Sequence, residues 1–394
     1  MVLKFERNVE CYGCGACADM CPKSAIKMVK DKHGFFYPRI DTNSCILCQL
    51  CERICPSLNQ IETHYPSKGF VGRHIDSHIF FNSASGGAFS AILERIYGQI
   101  HNEDLFVIGA AFAKNFNVKH IVLKYPHIYP LLNSKYVLSC TDGCFKKGKE
   151  LLQSGKWVVF SGTPCQVAAF KTSLGCEYDK LICIDIVCHG APNQEIFDEY
   201  RSEMEKRVKS SIIGYSFHSK KVNKGKVNTR SVYIRYANNR SGYYTARNDP
   251  YLKMYYNRIG YRPSCYYCKF SSPYRVSDIT LGDAWGIEQL YPDLISKEGV
   301  SCILLNSRKG LSLFNASIRD ISMMLKTVDV NFAIHNNQQL QYPTPEPDGN
   351  KKFLLNFKKK SYIRAVAIAA FPNIFRRILF YTRCTVANFL YFIK

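Results

Sequence analysis

Two cysteine runs stand near the start of the chain, Cys11-x2-Cys14-x2-Cys17-x3-Cys21-Pro22 and Cys45-x2-Cys48-x2-Cys51-x3-Cys55-Pro56, repeating at an offset of 34 residues. Each spells the spacing that wraps a cubane iron–sulfur cluster. Three thiolates two residues apart reach three irons from one tight loop. The fourth, followed by proline, turns to the neighbouring cluster. The spacing predicts Cys11, Cys14, Cys17 and Cys55 on one [4Fe-4S] cluster, and Cys45, Cys48, Cys51 and Cys21 on the other. Zinc favours separated pairs over a triple run, and structural disulfides belong to oxidising compartments. The chemistry expected is single-electron transfer.

Four more cysteines sit on loops. The apolar stretch Trp157–Phe160 leads into Ser161-Gly162-Thr163-Pro164-Cys165-Gln166, and Leu181–Val187 leads into Cys188-His189-Gly190-Ala191-Pro192. If both stretches are parallel neighbouring strands, Cys165 and Cys188 emerge at one carboxyl edge, where open α/β sheets place ligands. With Cys265-x2-Cys268 they make a four-thiolate set, enough for a third cluster. On spacing alone, zinc and buried free thiols stay open. Cys140, Cys144, Cys176, Cys183, Cys302 and Cys384 read as packing residues.

Two glycine turns have the composition of anion sites. Ser83-Ala84-Ser85-Gly86-Gly87 precedes a helix over Ala88–Tyr97, and Gly162-Thr163-Pro164 precedes another. A helix N-terminus exposes unpaired N–H groups to an anion, although capping of a structural helix is the default. Asp283 lies between glycines in Leu281-Gly282-Asp283-Ala284-Trp285-Gly286, as a solvated turn or a cofactor-binding carboxylate. His189 is a proton-donor candidate, set against the commoner local hydrogen bond.

The elements positioning these residues divide the chain into a two-cluster ferredoxin domain (1–60), a linker (61–82), a core (83–345) and a basic amphipathic tail (346–394). In the first, Ala25–Val29 and Phe35–Pro38 flank Asp31-Lys32-His33-Gly34 as strand, turn and strand. The core alternates strands (Leu105–Phe112, Ile121–Leu123, Trp157–Phe160, Leu181–Val187) with helices (Phe145–Ser154, Gln166–Leu174, Gln194–Val208). Residues 211–260 read as antiparallel, with a strand over Ser231–Ala237. Strands at Ile279–Leu281 and Val300–Asn306 and a helix at Leu311–Met324 follow. The fold class expected is a bacterial-type ferredoxin fold followed by a mixed α/β core.

The formal net charge is +22, and Lys351–Lys394 holds ten Lys or Arg and no Asp or Glu. Basic residues interleaved with Phe, Tyr, Ile and Leu suit an interfacial segment on an anionic membrane; a helix packed on the protein with a solvated basic face is the alternative. No recognition module for nucleic acid accompanies the charge, whereas acidic redox partner proteins fit it. Free thiols without an apolar leader place the chain in the cytosol, with contact at the inner membrane face as an option.

These motifs together resemble the coenzyme F-420 hydrogenase/dehydrogenase beta-subunit family, in its form with an N-terminal ferredoxin domain. The resemblance runs from Cys11 to about Asn306. It rests on Ser85-Gly86-Gly87, Ser134-Lys135-Tyr136-Val137, Ser161-Gly162-Thr163-Pro164-Cys165-Gln166, Cys188-His189-Gly190, Cys265-x2-Cys268, Ser277-Asp278-Ile279-Thr280-Leu281-Gly282-Asp283, Trp285-Gly286 and Gly299-Val300-Ser301. It implies a flavin-dependent oxidoreductase whose core binds FAD and a cubane cluster. Electrons would pass between clusters and an organic small molecule through the flavin, in either direction. The resemblance assigns the third cluster to Cys165, Cys188, Cys265 and Cys268, and makes Ser85, Gly86, Gly87 and Thr163 flavin-phosphate contacts. Lys135 and Asp283 become flavin-site candidates. The substrate is not named by it. The rival readings are a non-catalytic electron-transfer subunit docking a partner enzyme, as one member of an oligomer, and a membrane-associated factor for polysaccharide export.

Overall fold

The computed structural model describes residues 10–101, 103–220, 222–223, 226–227, 231–294, 296, 298–315 and 321–390. The two triple-cysteine runs end in short helical turns, α1 (Ala16–Asp19) and α2 (Leu50–Arg53), which pack on each other. Each is entered through a left-handed residue, Gly15 at φ 77° and Gln49 at φ 57°, which turns the run back on itself. Between them β1 (Ile26–Lys30) and β2 (Phe36–Ile40) form an antiparallel hairpin. Asp31 Oδ1 accepts from the N–H groups of His33 and Phe35. That turn holds Phe35 back, so the second strand starts one residue later than its composition predicts.

In chain order there follow β3 (Lys68–His74), α3 (Ser77–Asn82), α4 (Ala88–Gln99), β4 (Leu105–Phe112), β5 (Val118–Lys124), α5 (Cys144–Gln153), β6 (Trp157–Gly162), α6 (Pro164–Leu174), β7 (Leu181–Ile186) and α7 (Gln194–Val208). Next come β8 (Ile212–Ser216), β9 (Val222–Asn223), β10 (Lys226–Val227), β11 (Ser231–Tyr236), β12 (Ser241–Thr245), α8 (Pro250–Tyr256), β13 (Ile279–Asp283), β14 (Ser301–Leu305), α9 (Arg308–Asn315), β15 (Met323–Val328) and α10 (Val330–His335). The chain closes with α11 (Gly349–Asn356), α12 (Tyr362–Ala370) and α13 (Ile374–Leu390).

Eight strands form one sheet in the order β15-β3-β14-β13-β7-β6-β4-β5. Strands β4, β6, β7 and β13 run parallel, and the remaining pairings are antiparallel. The central strands are continuous apolar runs, such as Val158-Val159-Phe160 and Ile303-Leu304-Leu305, because helices cover both faces. Strands β12, β11 and β8 make a separate antiparallel sheet, as composition predicted for 211–260.

Three expectations are corrected. The stretch 61–82 is not a plain linker, since β3 lies inside the main sheet with Phe70 and Val71 buried. Its glycines obscured the strand. They are needed because a Cβ at Gly72 would come within 2.4 Å of the Met324 carbonyl, and one at Gly69 within 2.8 Å of that of Val328. Of the helix expected over Leu311–Met324, α9 covers Leu311–Asn315, residues 316–320 lie outside the described residues, and Met323 onward pairs with β3 as an edge strand. Within the segment 346–394, the described residues do not form a separate tail. Phe353, Tyr362, Ile363 and Val366 are buried with Tyr200, Met204 and Tyr251 in one core, so α11 and α12 are integral to the fold. The outer face of α13 remains exposed at Ile374, Phe375, Ile378 and Leu379.

Candidate functional site

Cys11, Cys14, Cys17 and Cys55 line one pocket, together with Tyr12 and Met28. This is the set of four that the spacing grouped. Burial pushes the Cys17 thiol up to about 12, with Cys11 and Cys55 adding to the shift. Burial likewise raises Cys14, with Cys17 next. Thiols that oppose one another's ionisation in a tight space are relieved by a shared cationic metal centre. The Gly13 N–H donates to Cys11 Sγ at 3.4 Å. Of the second set, Cys45 and Cys48 lie on the loop entering α2, Cys51 is buried within α2, and Cys21 follows α1. Beside Cys48, which is exposed, Leu47 is 65% exposed and Ile46 projects as well.

The core cysteines meet in a second pocket. Strands β6 and β7 are parallel neighbours, Gly162 opposite Asp185, so the loops beyond them leave one sheet edge together. Cys165 in the first turn of α6, Cys188 after β7, and Cys265 and Cys268 at the 3-10 turn Pro263–Tyr267 line one cavity with Tyr12, Thr163, Arg262, Ser264 and Arg275. Burial, then Cys268, pushes the Cys165 thiol up to about 12, while Thr163 and Arg262 pull it back. Cys188 is pushed up to about 11 by burial first, and Cys265 is raised well above its ordinary value by burial, Cys188 and Cys268. Arg262 Nη1 and Ser264 Oγ are buried without hydrogen-bond partners. Four thiols, a buried guanidinium and orphaned donors are the donor set that an anionic four-thiolate cluster satisfies.

Arg275 anchors that pocket. Its Nη2 pairs with Asp185 Oδ1 at 2.9 Å, both side chains almost wholly buried. Nη1 donates to the Phe270 carbonyl at 3.0 Å and Nε to Thr280 Oγ1 at 3.1 Å. The turn carrying Cys268 is thereby fixed to β7 and β13. Arg262, Arg275 and Tyr12 were not singled out from the sequence. The one available signal was Arg262 three residues before Cys265.

The flavin candidates divide into separate groups. Ser85 Oγ donates to the Val300 carbonyl, the Gly86 N–H donates to Ser301 Oγ, and Asp283 pairs with Ser301 across β13 and β14. These residues gather at one sheet edge, with Gly87 as the left-handed N-cap of α4. Lys220 joins them. Its Nζ donates to the carbonyls of Phe80, at 2.8 Å, and Ser85, and burial pulls it down to about 7 against Asp283 and Glu298. Thr163 lies apart, capping α6 beside Cys165 with its Oγ1 3.1 Å from the sulfur. Lys135 is spent on its own loop, donating to the carbonyls of Pro130, Leu132 and Asn133. His189 follows Cys188, and burial, then Arg258, lowers its imidazole against Asp283.

Residues 155–330 match a family described as the C terminus of the coenzyme F-420 hydrogenase/dehydrogenase beta subunit, and residues 10–59 match a 4Fe-4S dicluster domain. One segment of the chain is thus similar to the C-terminal region of these beta subunits and another to dicluster domains. The chain is 40% identical over 48 residues to an uncharacterised ferredoxin of Methanocaldococcus jannaschii, 12% of this chain and 61% of that protein. It is 32% identical over 81 residues to DNA-directed RNA polymerase subunit Rpo3 of Methanosarcina mazei, 21% of this chain and 26% of that protein. The chain therefore spans under two thirds of either curated relative's length. A solved chain of the F-420-reducing [NiFe] hydrogenase complex of Methanosarcina barkeri, in a xenon-derivatised form, aligns over 76% of this chain and 98% of that one, with 15% identity and a TM-score of 0.45. The matches relate residues 155–330 to the beta subunits and residues 10–59 to 4Fe-4S dicluster domains.

Proposed function

We propose that the chain is an iron–sulfur flavoprotein oxidoreductase with three [4Fe-4S] clusters and one FAD. Cys11, Cys14, Cys17 and Cys55 would hold one cluster, Cys45, Cys48, Cys51 and Cys21 the second, and Cys165, Cys188, Cys265 and Cys268 the third. The observation carrying this reading is the convergence of the last four thiols, from three separate loops, on a cavity that shares Tyr12 with the ferredoxin pocket. When bound, the clusters supply single-electron transfer and the flavin couples it to two-electron chemistry on a small organic molecule. The N-terminus of α4, with Ser85, Gly87 and Lys220 beside it, suits the flavin diphosphate. Asp283 and His189 would line the substrate side, with His189 the proton-donor candidate. Ile46 and Leu47 offer a redox partner protein an apolar landing next to Cys48.

The reading places the protein in the cytoplasm. Among the described residues no helix is long and apolar enough to cross a membrane. Contact with an anionic membrane surface would use the outer face of α13. The test is anaerobic purification with iron, sulfide and flavin counted on one sample. About twelve irons and one flavin per chain are expected, and Cys165→Ala or Cys268→Ala should each remove about four irons. About eight irons with no flavin would instead favour a docking electron-transfer subunit.

A further inference from the structure

Arg262 is 1% exposed, among the most deeply buried side chains of the chain. Its Nε donates to the Cys11 carbonyl at 2.7 Å and its Nη2 to the Phe36 carbonyl at 2.8 Å. The guanidinium lies over the Tyr37 ring, 4.3 Å from the centroid. Nη1 has no hydrogen-bond partner and rests against Gly13, where a Cβ would approach it to 2.6 Å. The neighbouring Arg275 is paired with Asp185, but among the described residues no carboxylate pairs with Arg262. A buried cation without an anion is costly, and two carbonyls and a ring face offset that cost only in part, so a nearby negative charge would complete the site.

Thiol pockets lie on both sides of this cation. Arg262 lines the cavity of Cys165, Cys188, Cys265 and Cys268. It also underlies the Cys11–Gly13–Cys14 loop, which lines the other pocket. Two backbone carbonyls fix its position, so the charge cannot swing away to water. Net charge around a cluster sets its reduction potential.

We infer that Arg262 is the shared counter-charge of these two pockets, a positioning residue that raises the potential of the group in each. The inference rests on the three-cluster reading. It also makes the pocket of Cys11, Cys14, Cys17 and Cys55 the one coupled to the core, leaving that of Cys45, Cys48, Cys51 and Cys21 on the far side.

The experiment compares Arg262→Gln and Arg262→Lys in the full chain, by iron content and by anaerobic redox titration followed by electron paramagnetic resonance. Arg262→Gln should keep about twelve irons while two of three midpoint potentials move to more negative values. Arg262→Lys keeps the charge without the fork, and its potentials should stay near wild type. Iron loss in Arg262→Gln but not in Arg262→Lys carries the same conclusion. Unchanged potentials in an iron-replete Gln variant, or equal iron loss in both, would overturn it, because hydrogen bonding rather than charge would then matter. A shift in one potential alone overturns the sharing. A wild-type count of about eight irons sinks the three-cluster reading before any variant is compared.

Discussion

Thr141 Oγ1 donates to the carbonyl of Cys14 at 2.6 Å, across 127 residues of sequence. A second such bond runs from Thr172 Oγ1 to the Ile54 carbonyl at 2.6 Å. Both cysteine runs are thus pinned to the core, one by the turn before α5 and one by α6. Asp19 adds a third tie, accepting from the N–H groups of Phe145 and Lys146 at the start of α5. The ferredoxin domain is docked, not tethered.

Removing the two threonine hydroxyls together should loosen this docking. Thr141→Val with Thr172→Val is expected to cost about 1 kcal/mol per lost bond. Limited proteolysis between residues 59 and 67 should accelerate in the double variant while the core digests as before. Unchanged cleavage would mean that the domain is held by other contacts alone.

Arg275 and Asp185 make a buried pair, and breaking one side leaves the other charge uncompensated. Asp185→Asn should destabilise the chain by about 3–5 kcal/mol, read as a lowered denaturation midpoint. On the three-cluster reading, the core iron should become labile to chelators sooner than the ferredoxin iron, because Arg275 holds the turn bearing Cys268. Equal lability of all iron would refute that link.

Two buried groups give opposite pH dependences. Burial raises the Asp249 carboxyl from 3.8 to about 6, so between those values the folded state keeps a proton the unfolded chain has released. Stability falls as pH rises through that window. Burial holds the His120 imidazole at about 4 rather than 6.5, so its contribution rises with pH through nearly the same range. Its neutral form is consistent with its contacts, Nε2 3.0 Å from the Ser161 carbonyl and Nδ1 2.9 Å from Ser139 Oγ. Each effect is on the order of 3 kcal/mol, and in the native chain they largely cancel. Asp249→Asn should therefore gain stability as pH rises from about 5 to 6.5, and His120→Gln should lose it. Thermal midpoints across that range decide the matter, and parallel profiles in the two variants would contradict it.

The membrane reading now attaches to one helix face. Deleting residues from Lys351 onward would remove Phe353, Tyr362 and Ile363 from the core, so loss of binding would report unfolding. Phe375 is 78% and Ile378 58% exposed, which makes Phe375→Asp with Ile378→Asp the cleaner probe. This pair should lower partition onto vesicles containing anionic lipid by roughly tenfold or more, with thermal stability unchanged. Wild-type binding should also weaken in salt. Equal partition of variant and wild type would remove α13 from the membrane reading.

The gathering of the thiols was legible in the sequence because it follows from fixed spacings and strand order. The grouping of Cys55 with Cys11, Cys14 and Cys17, and the emergence of Cys165 and Cys188 at one edge, both needed only the run lengths and two parallel strands. What escaped were residues acting at long range. Nothing local marks Arg262 or Arg275 as buried cations, since surface arginines look the same in sequence. Strand β3 was missed because Gly69 and Gly72, required by the close approach of β15, read as loop. The C-terminal helices were set apart because their positive charge hid the apolar stripe that α11 and α12 press into the core.

The dependence of the Cys11–Gly13 loop on a side chain 251 residues downstream bears on biogenesis. Synthesis delivers all eight ferredoxin cysteines to the cell well before Arg262 leaves the ribosome. The first pocket therefore emerges lacking the cation beneath it and the hydroxyls of Thr141 and Thr172 that brace it. On the proposed reading, stable loading with iron and sulfide would be completed only when the downstream core has closed beneath the N-terminal cysteines.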